Sequence, residues 1–208
     1  MIVIISKSTF MKSFIEAKFD IPDLKGISKN TIEEHIKLYS GYVKHANLIL
    51  EQIEELRKQG PEISPSTTYT INELQRRFSF EFNGMVNHQY YFNAFVGGPK
   101  PINQDGRLIK NISDEWGSFE NWLTTFKAMA LTRGIGWAML YYDPTTKRLI
   151  NSWVDEQHLG QLNGCKTILA LDMWEHSFVA DYKPSGKKNY VEDFFANLNW
   201  EIIEGNYN

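Results

Sequence analysis

The chain has 208 residues, with 22 lysines and arginines against 25 aspartates and glutamates, for a formal net charge of -3. That balance gives no electrostatic reason to expect a nucleic-acid partner, and no stretch approaches the roughly 20 apolar residues that a membrane span needs. The single cysteine, Cys165, excludes an internal disulfide and fits a reducing compartment.

The start, Met1 to Lys7, has too short an apolar run for a signal peptide, so a soluble cytoplasmic protein is expected. Residues 1 to about 27 show no clear period and read as an irregular arm. Asn30-Thr31-Ile32-Glu33 has the pattern of a capping box with Asn30 as cap. Ile32, Ile36, Tyr39, Val43, Ala46, Leu50 and Ile53 follow at spacings of three and four, which predicts one helix ending near Gly60-Pro61. Pro61 to Ser66 reads as a loop, and Thr70-Ile71-Asn72-Glu73 as a second capping box. The helix it opens carries Leu74, Phe78, Phe82 and Met85 on one face. Two such helices joined by a short loop form an antiparallel hairpin.

Gly97-Gly98-Pro99-Lys100-Pro101 breaks the pattern and sets a domain boundary, with 1–98 as arm and helical hairpin and 99–208 as a second domain. A helix is expected from about Ser118 to Thr132. Gly136 to Tyr142 and Arg148 to Val154 read as strands joined by the turn Asp143-Pro144-Thr145-Thr146-Lys147. Thr167 to Leu171 is a third strand, and Tyr190 to Leu198 a closing helix. The elements thus order as a helical hairpin followed by a mixed region with three strands, a pattern of the α+β class. Aromatic residues, 14% of the chain, suit a bulky core.

Chemistry concentrates on the histidines, of which there are five: His35, His45, His88, His158 and His176. Asp172 and His176 are four residues apart, directly after the run Thr167 to Leu171, and can bind one metal ion if the backbone between them turns. Alone, such a pair arises often by chance, and a lone histidine on a helix is more often structural. Grouped with His35 and His88 on the two predicted helices, they supply three nitrogens and one oxygen. That donor set suits iron or manganese with room for a small ligand. Cys165, whose neighbours Gly164 and Lys166 suggest a loop, has no identifiable base and gives no support to thiol chemistry.

Several motifs carry a resemblance. Asp172-Met173-Trp174-Glu175-His176 matches D-x-W-E-H, the signature of the iron/manganese superoxide dismutases. Asn87-His88-Gln89-Tyr90-Tyr91-Phe92 resembles that family's N-H-x-x-x-W, with Phe92 in place of tryptophan. Arg133-Gly134-Ile135-Gly136-Trp137-Ala138 resembles its G-W-A strand start, and Asn197-Leu198-Asn199-Trp200 its closing N-x-x-W. The stretch His35-Ile36-Lys37-Leu38-Tyr39-Ser40-Gly41-Tyr42 resembles a divergent bacterial branch. The likeness covers about residues 28 to 204, in the family's order.

The resemblance implies an α+β fold, an N-terminal antiparallel helical hairpin plus a C-terminal α/β domain with a three-stranded antiparallel sheet, and an active superoxide dismutase with one iron or manganese ion per subunit, held between the domains by His35, His88, Asp172 and His176. In the family the first histidine precedes the tyrosine by eight residues, whereas Tyr42 follows His35 by seven. Aligned without a gap, Glu34 takes the ligand position; a one-residue deletion, such as loss of a π-bulge, restores His35, the expected ligand. Tyr42 is then the gateway tyrosine, while Gln157, or His158 if the alignment slips by one, hydrogen-bonds the solvent at the metal. Trp137, Trp174 and Phe92 would wall the site. Gly84, four residues before His88, replaces the glutamine of many iron-type members and leans toward manganese. Glu175 would cross a two-fold interface to the partner's metal-binding histidine, giving a homodimer or larger assembly.

Departures from the family pattern are local. Val179 stands where an entrance tyrosine is usual, and the histidine that pairs with it is missing, with Tyr39 nearby. Met139 replaces a second tryptophan, and Lys187 an arginine that guides the anion, in a loop that also carries Lys183 and Lys188. Two alternatives follow: a non-catalytic or weakly active metal-binding member of the same fold, and another non-haem iron enzyme. The fourth ligand argues against the latter by filling a site that dioxygen and substrate would need.

Overall fold

The computed structural model describes residues 5–7, 12–58 and 64–208. Two long helices, α1 (Lys29–Arg57) and α2 (Pro65–Asn93), come first, after a two-stranded pair, β1 (Ile5–Lys7) and β2 (Lys12–Phe14). Two shorter helices follow, α3 (Arg107–Trp116) and α4 (Phe119–Ala130). The sheet is built from β3 (Gly136–Asp143), β4 (Arg148–Asp155) and β5 (Lys166–Asp172). A 3-10 turn (Glu175–Ser177), α5 (Val179–Tyr182), a second 3-10 turn (Pro184–Gly186), α6 (Lys187–Ala196) and α7 (Trp200–Tyr207) complete the order.

The helical hairpin is antiparallel. His35 meets Phe92, Tyr42 meets His88, and Ile53 clusters with Ile71, so partners on α2 fall in number as those on α1 rise. Both helices start earlier than the capping boxes predict. Ser28, not Asn30, caps α1, its Oγ accepting from the Thr31 N–H at 3.2 Å. Ser64 caps α2 in the same way, through Thr67 at 3.1 Å, with Pro65 at the first helical position, where its missing N–H costs nothing. Ser66, expected in the loop, is therefore helical; the predicted helix end at Gly60-Pro61 lies outside the described residues.

The arm is not wholly irregular. β2 pairs antiparallel with β1, Ile5 opposite Phe14, and the Asn47 side chain on α1 takes both backbone groups of Phe14, at 2.8 and 2.9 Å. Beyond it, the Ala17 N–H donates to the Tyr39 hydroxyl at 2.8 Å.

The sheet order is β4-β3-β5, antiparallel throughout. β3 is central and places Trp137 opposite Asp172 at the end of β5. Gly136 opens β3 at φ 155°, and a Cβ there would strike the Val154 carbonyl oxygen of β4, so only glycine lets the strands close here. α2 packs on β5, and one continuous aromatic-rich core joins hairpin and sheet, with Tyr39, Tyr91, Phe92, Trp122, Trp137 and Phe194 fully buried. Among the elements that the sequence reading does not predict, α3 and α7 feed this core through Leu108 and Ile112 of α3 and Ile203 of α7. α6 begins at Lys187 rather than Tyr190. No helix among the described residues is long and apolar enough to cross a membrane.

Candidate metal centre

Four elements deliver one cluster. α1 supplies His35, α2 His88, the end of β5 Asp172, and the 3-10 turn His176. The turn of backbone that Asp172 and His176 require is stapled in place. The Trp174 N–H donates to Asp172 Oδ1 at 2.7 Å, and the Ser177 hydroxyl donates to the Asp172 carbonyl at 3.1 Å. Tyr190 adds its hydroxyl to the same carbonyl at 2.9 Å.

The three imidazoles converge on one oxygen. The Nε2 atoms of His35, His176 and His88 lie 3.0, 3.2 and 3.5 Å from Asp172 Oδ2. All four ligand atoms lie within 4.8 Å of one another. His35, His88 and Asp172 are buried, whereas the His176 side chain keeps 24% of its surface exposed, on the side of the entrance.

These residues fit a metal ion on their own chemistry. His88 Nδ1 lies 2.6 Å from the Gly84 carbonyl and so must carry its proton. Nε2 is then a bare lone pair; it is buried without a hydrogen-bond partner and faces the cluster. Burial, reinforced by the neighbouring His35, pushes the His88 imidazole down to about 3, which keeps it neutral. Burial also lowers His35 against the pull of Asp172. For Asp172, burial works upward, but the field and hydrogen bond of His176, with those of His35, hold the carboxyl well below the usual carboxylate range. Neutral His35 and His88 beside an ionised Asp172 are in the protonation states a metal needs.

The structure brings Tyr42 and Gln157 to this cluster and leaves other candidates outside it. An unbroken α1 runs from His35 to Tyr42. Seven residues are two turns to within roughly 20°, so both side chains share a face without a bulge. The Tyr42 ring lies 5.0 Å from that of His88. The Gln157 amide donates through Nε2 to the Tyr42 hydroxyl at 2.9 Å, and its Oε1 accepts from Trp137 Nε1 at 2.9 Å. Burial, then the charges of Asp172 and Glu81, push the Tyr42 phenol up, so it keeps its proton. His158 instead sets its ring edge on Phe80 at 5.7 Å, away from the ligands. Glu34 is exposed and paired with Lys37 at 2.6 Å.

Behind Gln157 lies a set of amides that sequence reasoning missed. Asn87 Nδ2 and Gln161 Nε2 both donate to the Gln157 carbonyl, at 3.0 and 3.3 Å, and Gln161 also donates to Asn87 Oδ1 at 3.0 Å. Tyr141 closes the chain on Gln161 Oε1. The four-residue step from Gln157 to Gln161 in a turn-rich segment was the available signal.

A cavity of about 640 Å³ leads to the ligands between α1 and α2, lined by Leu38, Tyr42, Phe80, Arg77, Trp174 and His176 among others. Tyr39, near the position of the missing histidine, is fully buried, with its hydroxyl accepting from Ala17 and Gln89, because one helical step turns it into the core. Leu38 lines the opening instead. Lys187 does not line the cavity; its Nζ donates to the Thr132 carbonyl at 2.9 Å and lies over the Trp153 ring. Val179 is half-buried and Met139 fully buried in the core.

Fold and cluster together define a mononuclear metal protein with a three-imidazole, one-carboxylate centre between a helical hairpin and an antiparallel sheet. The family model for the iron/manganese superoxide dismutases, C-terminal domain, matches residues 104–206. An iron superoxide dismutase of Cupriavidus metallidurans is 35% identical over 86% of this chain and 87% of its own length. A manganese superoxide dismutase of Halobacterium salinarum is 42% identical over 83% and 82%. A manganese/iron superoxide dismutase of Aeropyrum pernix is 30% identical over 90% and 89%. The chain belongs to the iron/manganese superoxide dismutase family.

Proposed function

We propose that this protein disproportionates superoxide to dioxygen and hydrogen peroxide at one iron or manganese ion held by His35, His88, Asp172 and His176. The observation that carries this is the convergence of three imidazoles on a single buried carboxylate oxygen beside a protonated tyrosine. The ion supplies one-electron chemistry in both directions, so that two superoxides and two protons give one dioxygen and one hydrogen peroxide.

The chain's own residues orient the site and handle protons. Tyr42 Oη receives a hydrogen bond from Gln157, leaving its own O–H free to donate into the cavity toward substrate or solvent. Gln157 is held at both ends, by Trp137 and Tyr42 through its side chain and by Asn87 and Gln161 through its carbonyl, which supports Gln157 over His158 as the partner of solvent at the centre. Trp137 and Phe92 are fully buried and close the inner wall against bulk water, with Trp174 stacked beside His176. A fixed amide and phenol next to the ligands set the redox behaviour of the centre.

The assembly is a homodimer at least. Glu175 is exposed beside the partly exposed His176, which supports a reciprocal Glu175–His176 pair across a two-fold axis. The division of the chain falls at Gly97–Pro101, and a reducing, cytoplasmic setting fits the free Cys165.

The test is to load the purified protein separately with iron and with manganese and measure superoxide consumption. Rapid consumption by either form is the expected result, and by both a cambialistic enzyme. No consumption by protein with confirmed bound metal overturns the proposal in favour of a non-catalytic member.

A further inference from the structure

The mouth of the cavity carries two charged side chains that the metal centre does not use. Arg77 and Glu81 are one turn apart on α2, with guanidinium nitrogens 2.9 Å from Glu81 Oε1. The Arg77 guanidinium carbon sits 3.8 Å above the centroid of the Phe80 ring. That ring meets Tyr42 at 6.0 Å, and Tyr42 meets His88 at 5.0 Å. A line of ring contacts therefore runs from the guanidinium at the opening to a candidate ligand.

The pair is oriented. The Glu81 side chain is only 9% exposed, whereas that of Arg77 is 52% exposed. An anion arriving from water thus meets the cation first, with the carboxylate behind it. Two holds, the ion pair and the ring beneath, fix the guanidinium in place. Both charges reach the Tyr42 phenol, Glu81 raising its proton affinity and Arg77 lowering it. The chain as a whole is negative, and Lys187 is engaged with Thr132 away from the cavity. A local cation is what an anionic substrate needs for a fast encounter under those conditions.

We infer that Arg77 is the positioning residue that draws the anionic substrate into this cavity, with Glu81 and Phe80 as its mounts. The inference rests on the superoxide chemistry proposed above. Arg77 acts on encounter rather than on the reaction itself, so it governs kcat/KM and not kcat.

The experiment compares metal-loaded wild-type protein with the double variant Arg77→Gln/Glu81→Gln and with Arg77→Lys. Removing both charges keeps the pair neutral, so a loss cannot come from a bare carboxylate left at the mouth. At low ionic strength the double variant should lose about three- to tenfold in kcat/KM, with kcat retained. Wild-type kcat/KM should fall with added salt, the double variant should show a flat profile, and Arg77→Lys should keep most of the wild-type slope. Azide affinity, read by optical titration of the loaded proteins, should weaken by a similar factor at low salt and converge at high salt. Wild-type kcat/KM, salt slope and azide affinity in the double variant would overturn the inference. A wild-type protein that binds metal and azide but consumes no superoxide would overturn the functional proposal, while the azide titration still decides whether Arg77 gathers anions.

Discussion

Gly84→Ala tests how tightly the tyrosine is set. Gly84 lies within regular α2, and a Cβ there would stand 2.5, 2.7 and 2.9 Å from Cδ1, Cε1 and Cγ of Tyr42. Ordinary carbon contacts are about 3.5–4.0 Å, so the ring must withdraw by about 1 Å. It has little room, with the His88 and Phe80 rings at 5.0 and 6.0 Å and its hydroxyl bound to Gln157. Alanine gains about 1 kcal/mol of helix propensity, while overpacking costs about 1–3 kcal/mol. Stability should therefore fall by no more than about 2 kcal/mol. Activity should suffer more, because the same shift stretches the 2.9 Å Gln157–Tyr42 hydrogen bond beyond useful range. Misplacement of about 1 Å at a reacting site costs on the order of a hundredfold. Urea denaturation and stopped-flow superoxide decay, on metal-loaded protein, read the two effects separately. A variant that is more stable than wild type and fully active would refute the reasoning, since it would mean that Tyr42 moves freely and that its link to Gln157 is dispensable.

Asp172→Asn replaces the anionic carboxylate on which all three imidazoles converge with a neutral amide, and should lower metal affinity by at least about a hundredfold; elemental analysis after dialysis checks it, and full metal retention would contradict it. Asp143 caps the β3–β4 turn through the Thr146 hydroxyl and the Thr145 N–H, which hold its carboxyl below the usual 3.8. A depressed carboxylate stabilises above its unfolded value and loses that contribution as pH falls through the folded one. Asp143→Asn should therefore melt below wild type at pH 7, with the gap closing as pH drops below about 4. Glu175→Lys should shift sedimentation toward monomer without loss of helical signal; an unchanged dimer would remove Glu175 from the interface.

Periodicity made the hairpin legible because α1 buries one continuous stripe, Ile32, Tyr39, Val43, Ala46 and Ile53 among its members. The same logic found the three strands of the larger sheet, whose apolar runs are bounded by turn residues, but not the short β1 and β2. It failed at helix starts, where two competing cap sequences lie close together and Ser64-Pro65 outranks Thr70 through the proline that follows the cap. It also failed at α3, whose buried apolar residues Leu108, Ile109 and Ile112 span little more than one turn. At the site, motif spacing named the four residues that the fold brings together. It left open which of Gln157 and His158 faces inward, since a one-residue step in a turn reverses direction and only the packed chain decides. Arg77 was invisible for a different reason. An arginine four residues before a glutamate on a helix reads as a solvated pair, and only the cavity beside it gives the pair a direction.

The most direct test of the account is product stoichiometry. Metal-loaded protein is given a known quantity of superoxide, and dioxygen and hydrogen peroxide are measured together. The account predicts one dioxygen and one hydrogen peroxide for every two superoxides consumed. One hydrogen peroxide per superoxide, with no dioxygen and a requirement for an external reductant, would contradict it and make the protein a reductase.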